Sequence, residues 1–150
     1  MPASHPASDP DRVWFRVMRL HQRMLLQMTA RIRAIGLSIP QFDLLSTLTE
    51  QEGISQSELA ERLYVTKGNV SGLVDRLVQA GLVERRAIAG DRRSYAMHLT
   101  PEGRRLAEAG LAIQRDFVAS TLGRLPPGEL AELDRLVILW RDFARAADKG

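Results

Sequence analysis

The 150-residue sequence contains no cysteine, which excludes disulfides, thiolate metal sites and thiol-based redox sensing. It also has no apolar run that approaches the roughly 18 residues needed to span a bilayer. Residues 1–10 lack the basic start and the apolar stretch of a signal peptide. We therefore expect a cytoplasmic protein in which residues 1–10 form a disordered arm.

Signatures of catalysis are absent as well. The histidines, His5, His21 and His98, do not have the spacing of metal ligands. No glycine-rich phosphate loop precedes a helix pattern, and no Gly-x-Ser-x-Gly elbow occurs. The sequence thus favours a protein that is not an enzyme and that has neither a metal nor a cofactor. Its length and its 45% hydrophobic content predict one globular domain with its own core.

Residues 55–100 carry the most informative pattern in the chain. Ser55 is expected to cap the start of a short helix, with Glu58 reaching back to its amide in a capping box. A turn of only a few residues separates this helix from a second one, which we expect from about residue 67 to residue 80. Two short helices joined this tightly predict a helix-turn-helix.

The second of these helices has one apolar and one polar face. Thr66 is its expected N-cap, and Gly81 is the residue expected to end it. Gly68 and Gly72 are expected on the outward face, where each glycine costs about 1 kcal/mol relative to alanine. Two such residues indicate that something large, such as a nucleic-acid groove, approaches the backbone there. The apolar face consists of Val70, Leu73, Val74, Leu77 and Val78.

After Gly81 the apolar residues recur at every second position, which is the spacing of β-strands and predicts a β-hairpin. Residues 82–86 and 94–99 are the expected strands, residues 87–93 the expected loop, and residues 53–54 a short strand that pairs with the hairpin. Thr100 and Pro101 then begin a new helix. The hairpin is basic, as the wing of a winged helix-turn-helix would be. Its arginines, Arg85, Arg86, Arg92 and Arg93, outnumber its acids, Glu84 and Asp91.

The excess positive charge is confined to this module. Residues 55–105 contain nine Lys and Arg against six Asp and Glu, whereas the rest of the chain contains twelve of each. This distribution is typical of a surface that contacts phosphates, although a surplus of this size also occurs in proteins without such contacts.

Long helices are expected on both sides of the module. Residues 11–35 predict the first helix, which Gly36 ends, and residues 40–51 predict a second. Residues 102–122 and 128–147 predict two more. The second helix is expected to turn Phe42, Leu45 and Leu48 to the core. The first and last helices carry apolar stripes that one short chain cannot cover, so we expect a homodimer.

The first helix also carries a line of four arginines, which we call the arginine row. Guanidinium groups on one line repel one another and require anionic partners. The favoured interpretation is pairing with Glu129, Glu132 and Asp134 of the last helix, possible across a dimer. The alternative is that some of them hold an anionic effector or a DNA backbone. The arginine row consists of Arg12, Arg16, Arg19 and Arg23.

Six short segments carry a further pattern, namely QFDLL (41–45), SELA (57–60), VSGLVDRL (70–77), GLVER (81–85), DRRS (91–94) and LTPEG (99–103). Through these segments the sequence resembles, over residues 11–148, the multiple antibiotic resistance regulator (MarR) family of bacterial transcription factors. The last two segments resemble the family's wing pattern of Asp-x-Arg followed by Leu-Thr-x-x-Gly.

Together, pattern and resemblance predict a mainly α protein with a small β-hairpin wing. Residues 38–100 would form a winged helix-turn-helix DNA-binding region, and residues 11–36 and 101–148 a helical dimerisation region. The implied function is sequence-specific binding of a near-palindromic operator in double-stranded DNA, with repression as the family default. The alternative is a winged-helix module that binds proteins and not DNA.

Each predicted DNA contact has its own chemical reason. Lys67 and Arg76 suit phosphates, while Asn69 and Ser71 suit base edges. Asp75 is doubtful, because a carboxylate repels phosphate unless it pairs with Arg76 or accepts from cytosine. The resemblance implies that Arg93 enters the minor groove and that Asp91 orients it. The full candidate set is Ser55, Thr66, Lys67, Gly68, Asn69, Ser71, Gly72, Arg76, Arg86, Asp91, Arg92 and Arg93.

Regulators that resemble this chain usually respond to a small molecule, often an aromatic acid, held between the first two helices and the dimer core. The arginine row favours an anionic effector, such as an aromatic carboxylate or an acyl thioester with phosphates. For Met24, Met28 and Phe42 a core position is the favoured interpretation. The candidate effector-binding residues are Trp14, Arg19, His21, Met24, Met28, Phe42 and Leu45.

Overall fold

The computed structural model describes residues 8–150, which fold mainly as α-helices with one β-hairpin. Contacts divide the chain into two compact units, one ending at Ile113 and one beginning at Gln114. The elements are α1 (Pro10–Arg33), α2 (Ile39–Glu50), α3 (Gln56–Arg62), α4 (Val70–Gln79), β1 (Val83–Ile88), β2 (Asp91–Leu99), α5 (Pro101–Ser120), a short 3-10 helix (Leu122–Arg124) and α6 (Pro127–Ala147). This order confirms the predicted fold class.

The first two helices begin at side-chain caps. Asp9 accepts a hydrogen bond from the Asp11 amide at 3.1 Å, and Pro10 opens α1. Residues 8 and 9 of the predicted arm therefore precede α1, residue 10 belongs to it, and residues 1–7 lie outside the described residues. At α2, Ser38 and Gln41 form a reciprocal capping box, with Ser38 Oγ 3.3 Å from the Gln41 amide and Gln41 Oε1 2.9 Å from the Ser38 amide.

The second helix of the helix-turn-helix starts later than predicted. α4 begins at Val70, and its N-cap is Asn69, whose Oδ1 accepts from the Gly72 amide at 2.9 Å. The prediction of Thr66 as the cap was wrong because the Thr66 amide is held by the carboxylate of Asp43, 2.9 Å away, which keeps residue 66 in the turn. Ser55 caps α3 as predicted, since its Oγ accepts from the Glu58 amide at 3.2 Å, but within the described residues Glu58 does not complete the predicted capping box.

The core of the first unit lies among α2, α3, α4 and the base of the hairpin. Leu45, Leu48, Leu59 and Leu77 are completely buried, and Val74 lies between them in the same cluster. The predicted inward positions of α2 are confirmed, since Phe42 is buried as well. Val70 and Val78, at the edges of the predicted apolar face of α4, are half-buried against this core.

The hairpin has longer strands and a shorter turn than predicted. β1 and β2 pair in antiparallel fashion from Val83–Leu99 through Ala87–Tyr95, and Ile88 pairs with Asp91 after an irregularity. Only residues 89 and 90 separate the strands, because Gly90 adopts a φ of +82° that allows a tight reversal. Residues 87–93 are therefore mostly strand. The predicted pairing of residues 53–54 is confirmed by hydrogen bonds of 2.8 Å between Met97 and both residues.

Thr100 joins the end of the hairpin to the start of α5. Its hydroxyl donates to the Gly81 carbonyl at 2.6 Å and accepts from the Gly103 amide at 3.0 Å, which confirms its predicted capping role. Its amide donates to the carbonyl of Leu82 at 3.1 Å. A Cβ on Gly103 would overlap that same carbonyl oxygen. The Leu-Thr-x-x-Gly pattern is thus explained by the close approach of the start of α5 to the residues that follow α4.

The second unit contains α6, in which no residue is buried in the described chain. Apolar side chains such as Leu133, Val137 and Phe143 are exposed along it. Separately, α1 exposes Trp14, Phe15 and further apolar residues. None of the helices within residues 8–150 combines the length and the apolar character that crossing a bilayer demands.

Candidate nucleic-acid interface

The outward face of α4 and the turn before it form a continuous polar surface. Ser71, Asp75, Arg76 and Gln79 are exposed on the helix, and residues 67–69 are exposed in the turn. The apolar face lies opposite, against the core. The side chains predicted to read DNA are therefore at the surface of one short helix and its lead-in turn.

The two glycines do not share an outward helical line as predicted. Gly68 precedes the helix, because α4 starts two residues later. Gly72 is in the first turn, where a Cβ would collide with the side-chain amide of Asn69. The absence of a side chain at Gly72 therefore leaves room for the Asn69 side chain that caps the helix. This explains the glycine without requiring that a nucleic-acid groove approach the backbone.

Two polar groups predicted to contact DNA are already engaged. The ammonium group of Lys67 donates to the carbonyl of Leu63, the C-cap residue of α3, at 2.7 Å. Asn69 uses its side-chain oxygen for the cap of α4. Its side-chain NH₂ group stays at the exposed start of the helix, while Ser71 and Arg76 are exposed beyond it.

The doubt over Asp75 is resolved by a partner that the sequence pattern did not reveal. Arg85 of β1 forms a salt bridge with the Asp75 carboxylate. The pair joins the exposed face of α4 to the first strand of the wing, with side-chain exposures of 58% for Asp75 and 28% for Arg85. The predicted alternative partner, Arg76, forms no salt bridge within the described residues.

Asp91 orders the backbone at the tip of the wing. Its Oδ1 accepts from the Arg93 amide at 2.9 Å. This hydrogen bond lowers the pKa of the Asp91 carboxyl below its ordinary value, and a hydrogen bond from the Ser94 side chain lowers it further to a smaller extent. Arg92 and Arg93 are both exposed beside it, whereas Arg86 is bound to Glu84, with its Nε 2.7 Å from Oε1.

The wing also meets the start of α3. A shallow pocket of about 280 Å³ lies between them, and both Ser55 and Arg93 line it. The structure thus brings together two predicted DNA-binding residues that are far apart in sequence. The other lining residues are Gln56, Ser57, Ser94 and Tyr95.

The predicted effector residues differ in burial within residues 8–150. Trp14, Arg19, His21 and Met24 are exposed on α1, and Met28 is half-buried against the core. Phe42 and Leu45 are buried core residues, with 7% and 0% exposure.

A larger pocket of about 600 Å³, which we call the turn pocket, lies between α1, the start of α2 and the turn before α4. Three of its lining residues are cationic: Arg33, Lys67 and Arg76. Thr66 also lines it, and the Thr66 hydroxyl oxygen is buried without a hydrogen-bond partner in the described structure. Periodicity did not predict this pocket, because its lining residues come from three separate segments. The remaining lining residues are Leu25, Thr29, Ser38, Ile39, Pro40, Val65, Gly68, Asn69 and Leu73.

The arginine row is exposed on α1. None of Arg12, Arg16, Arg19 and Arg23 forms a salt bridge within residues 8–150, whereas Glu132, one of the acids predicted to pair with them, is bound to Arg135 of its own helix at 2.7 Å. Pairing of the row with acids of a second copy stays a prediction.

A helix-turn-helix with a polar outward second helix, followed by a basic hairpin, defines the winged helix-turn-helix class. A profile of the MarR family matches residues 35–94. The HTH-type transcriptional repressor Rv2887 of Mycobacterium tuberculosis is 32% identical over 111 residues, which are 74% of this chain and 80% of that protein. The chain belongs to the MarR family of transcriptional regulators, and its relatives are regulators and not enzymes.

Solved structures agree with the fold. AbsC, a MarR family transcriptional regulator from Streptomyces coelicolor, superposes with a TM-score of 0.80 at 23% identity, covering 95% of this chain and 99% of AbsC. FabT of Streptococcus pneumoniae in complex with DNA superposes with a TM-score of 0.81 at 20% identity, covering 93% of this chain and 99% of FabT.

Proposed function

We propose that this chain is a sequence-specific DNA-binding repressor that acts as a homodimer and is released by a small anionic effector. The observation that carries the proposal is the exposed polar face of α4 beside an arginine-tipped wing whose backbone is fixed by Asp91. The relative Rv2887 is itself a repressor, which supports repression rather than activation.

In the proposed complex, α4 lies in a major groove and the wing reaches the neighbouring minor groove. Ser71 and the side-chain NH₂ group of Asn69 contact base edges, while Arg76 contacts phosphate. Arg93 enters the minor groove and Arg92 contacts the backbone beside it. The remaining members of the proposed surface are Ser55, Thr66, Lys67, Gly68, Gly72, Arg86 and Asp91, of which Thr66 and Lys67 act chiefly by shaping the turn.

The apolar side chains that α1 and α6 each expose support the proposed homodimer. Exposed apolar patches are uncommon on monomers and typical of interfaces. A two-fold dimer would place its two α4 helices about one duplex turn apart, roughly 34 Å, and would require a near-palindromic operator.

The turn pocket suits an anionic aromatic effector. Leu25, Ile39 and Leu73 supply apolar walls, and Arg33 supplies a positive charge. The buried hydroxyl of Thr66 is a polar group still to be satisfied. A ligand there would touch α1, α2 and the turn before α4 together, so it could favour a conformation that does not fit DNA. The alternative anionic site is the arginine row, around Arg19.

Selection of duplexes from a random DNA library with the full-length protein tests the DNA-binding proposal. We expect enrichment of near-palindromic sites, and Arg92→Gln or Arg93→Gln should each lower the salt slope of binding by about one unit. Arg141→Gln on α6 is the matched control and should leave the slope unchanged. No enriched sequence would instead support the alternative, a winged-helix module that binds protein.

Thermal shift with benzoate-type carboxylates and their neutral amides tests the effector proposal. We expect stabilisation by the carboxylates that Arg33→Gln abolishes and Arg19→Gln leaves intact. The opposite response of the two variants would place the effector at the arginine row, and stabilisation by the amides alone would contradict an anionic effector.

A further inference from the structure

Asp43 is a buried carboxylate in α2, with 4% of its surface exposed. A buried carboxylate is unfavourable unless its oxygens are hydrogen-bonded. Its partners are three consecutive backbone amides from a segment more than twenty residues away. Oδ1 accepts from the Tyr64 amide at 3.0 Å, and Oδ2 accepts from the Val65 and Thr66 amides at 2.9 Å each.

These amides belong to the turn of the helix-turn-helix. α3 ends at Arg62 and α4 begins at Val70, so residues 64–66 cannot use helical hydrogen bonds within either helix. The side chains of Tyr64 and Val65 point outward, with exposures of 66% and 56%. Burial of the Tyr64 and Val65 side chains therefore does not hold this part of the turn in place. Its three backbone amides instead all donate to the Asp43 carboxylate.

α2 holds the turn at a second point, about two helical turns beyond Asp43. The Tyr64 hydroxyl donates to both carboxylate oxygens of Glu50, at 3.0 and 3.1 Å. Glu50 is exposed, so its contact competes with water, whereas the contact of Asp43 does not. The hydrogen bonds to the buried Asp43 carboxylate therefore hold the turn more rigidly than the exposed contact with Glu50.

We propose that Asp43 is a positioning residue for DNA readout, whose carboxylate fixes residues 64–66 and thereby the position at which α4 meets the operator. The inference rests on the proposed function, because it assigns a residue to the specificity of operator binding. Asp43 is too buried to touch DNA and acts only through the turn. The same turn contributes Val65 and Thr66 to the turn pocket, so a ligand there would contact the segment that Asp43 holds.

Asp43→Asn is the test variant, because it keeps the size of the side chain and turns one acceptor oxygen into a donor that faces amide N–H groups. We expect amide exchange at residues 64–66 to accelerate, and the ratio of affinities for the selected operator and a scrambled duplex to fall by about tenfold or more. The part of the salt slope that depends on Arg92 and Arg93 should stay unchanged, since the wing arginines keep their phosphate contacts.

Thr47→Val is the matched control. Thr47 is also buried in α2, but its hydroxyl donates to the backbone carbonyl of Asp43 at 2.7 Å and not to the turn. This variant should lower thermal stability and keep the operator-to-scrambled ratio. A merely structural role for Asp43 would give the same result in Asp43→Asn, namely a lower Tm with an unchanged ratio in the folded protein, and would overturn the inference.

Other outcomes are also decisive. If Asp43→Asn does not fold, Asp43→Glu keeps the charge and shifts the acceptors by one methylene, and a wild-type ratio in that variant overturns the inference. A reduced ratio without faster exchange at residues 64–66 overturns it as well. If the wild-type protein itself prefers no duplex, the proposed function fails first, which separates that failure from the failure of the role of Asp43.

Discussion

Arg85 of β1 neutralises the carboxylate of Asp75 on the outward face of α4, so the wing and α4 share one ion pair at the proposed DNA surface. The pair is exposed, and exposed pairs stabilise folding by about 1 kcal/mol or less. Its main effect is expected on binding, because it masks a negative charge that would otherwise face phosphates.

Arg85→Gln is therefore expected to weaken DNA binding with little change in Tm. An uncompensated charge near phosphate in a solvated interface costs about 1 kcal/mol, which is about fivefold in affinity. Asp75→Asn in the same chain should restore most of the loss, as measured by fluorescence anisotropy in a double-mutant cycle. Arg105→Gln, which breaks the Arg105–Glu102 pair on α5, is the control. Equal losses in the single and double variants would contradict this role for the pair.

Gly103→Ala is expected to destabilise the fold by about 1 to 3 kcal/mol, because the new Cβ overlaps the rigid carbonyl of Leu82. Chemical denaturation measures the loss. Gly128→Ala in the first turn of α6 is the control, since a Cβ there has no atom within 4 Å. Matching stabilities for the two variants would show that the start of α5 is not tightly held against Leu82.

Asn69 and Gly72 are expected to behave as a unit. Asn69→Ala should cost about 1 kcal/mol of stability through loss of the N-cap. Gly72→Ala alone should gain little, because its Cβ displaces the Asn69 amide, whereas in the Asn69→Ala background it should recover about 1 kcal/mol of helix propensity. Denaturant unfolding of the four proteins gives the coupling energy, and strictly additive changes would refute the steric link.

The wing should lose local order in acid. Hydrogen bonds from the Arg93 amide and then the Ser94 side chain lower the pKa of Asp91 in the folded protein. The stabilisation is therefore present above the ordinary carboxyl pKa of about 3.8 and is lost as pH falls through the lower folded value. NMR titration of the Arg93 and Ser94 amides should report this transition, and Asp91→Asn should lack it. An Asp91 pKa at or above the ordinary value would contradict the bond.

Much of the fold followed from local patterns. The spacing of Leu73, Val74 and Leu77 predicted the buried face of α4, and Ser55 and Thr100 were recognised as caps because capping depends on neighbouring residues. The start of α4 was misplaced because Thr66 and Asn69 are both acceptable caps by residue type. The choice between them depends on Asp43, a residue from another helix that binds the Thr66 amide.

The same division applies to the candidate site. The sequence determined which face of α4 is apolar, that the hairpin is basic and that apolar stripes on the first and last helices exceed what one chain can cover, since these properties depend on the period and charge of contiguous residues. The tertiary structure decided that Arg85 pairs with Asp75, that Asp43 holds the turn and that three segments enclose a pocket beside Thr66. Those features depend on contacts between segments that are far apart in the sequence, and the spacing of neighbouring residues does not predict such contacts.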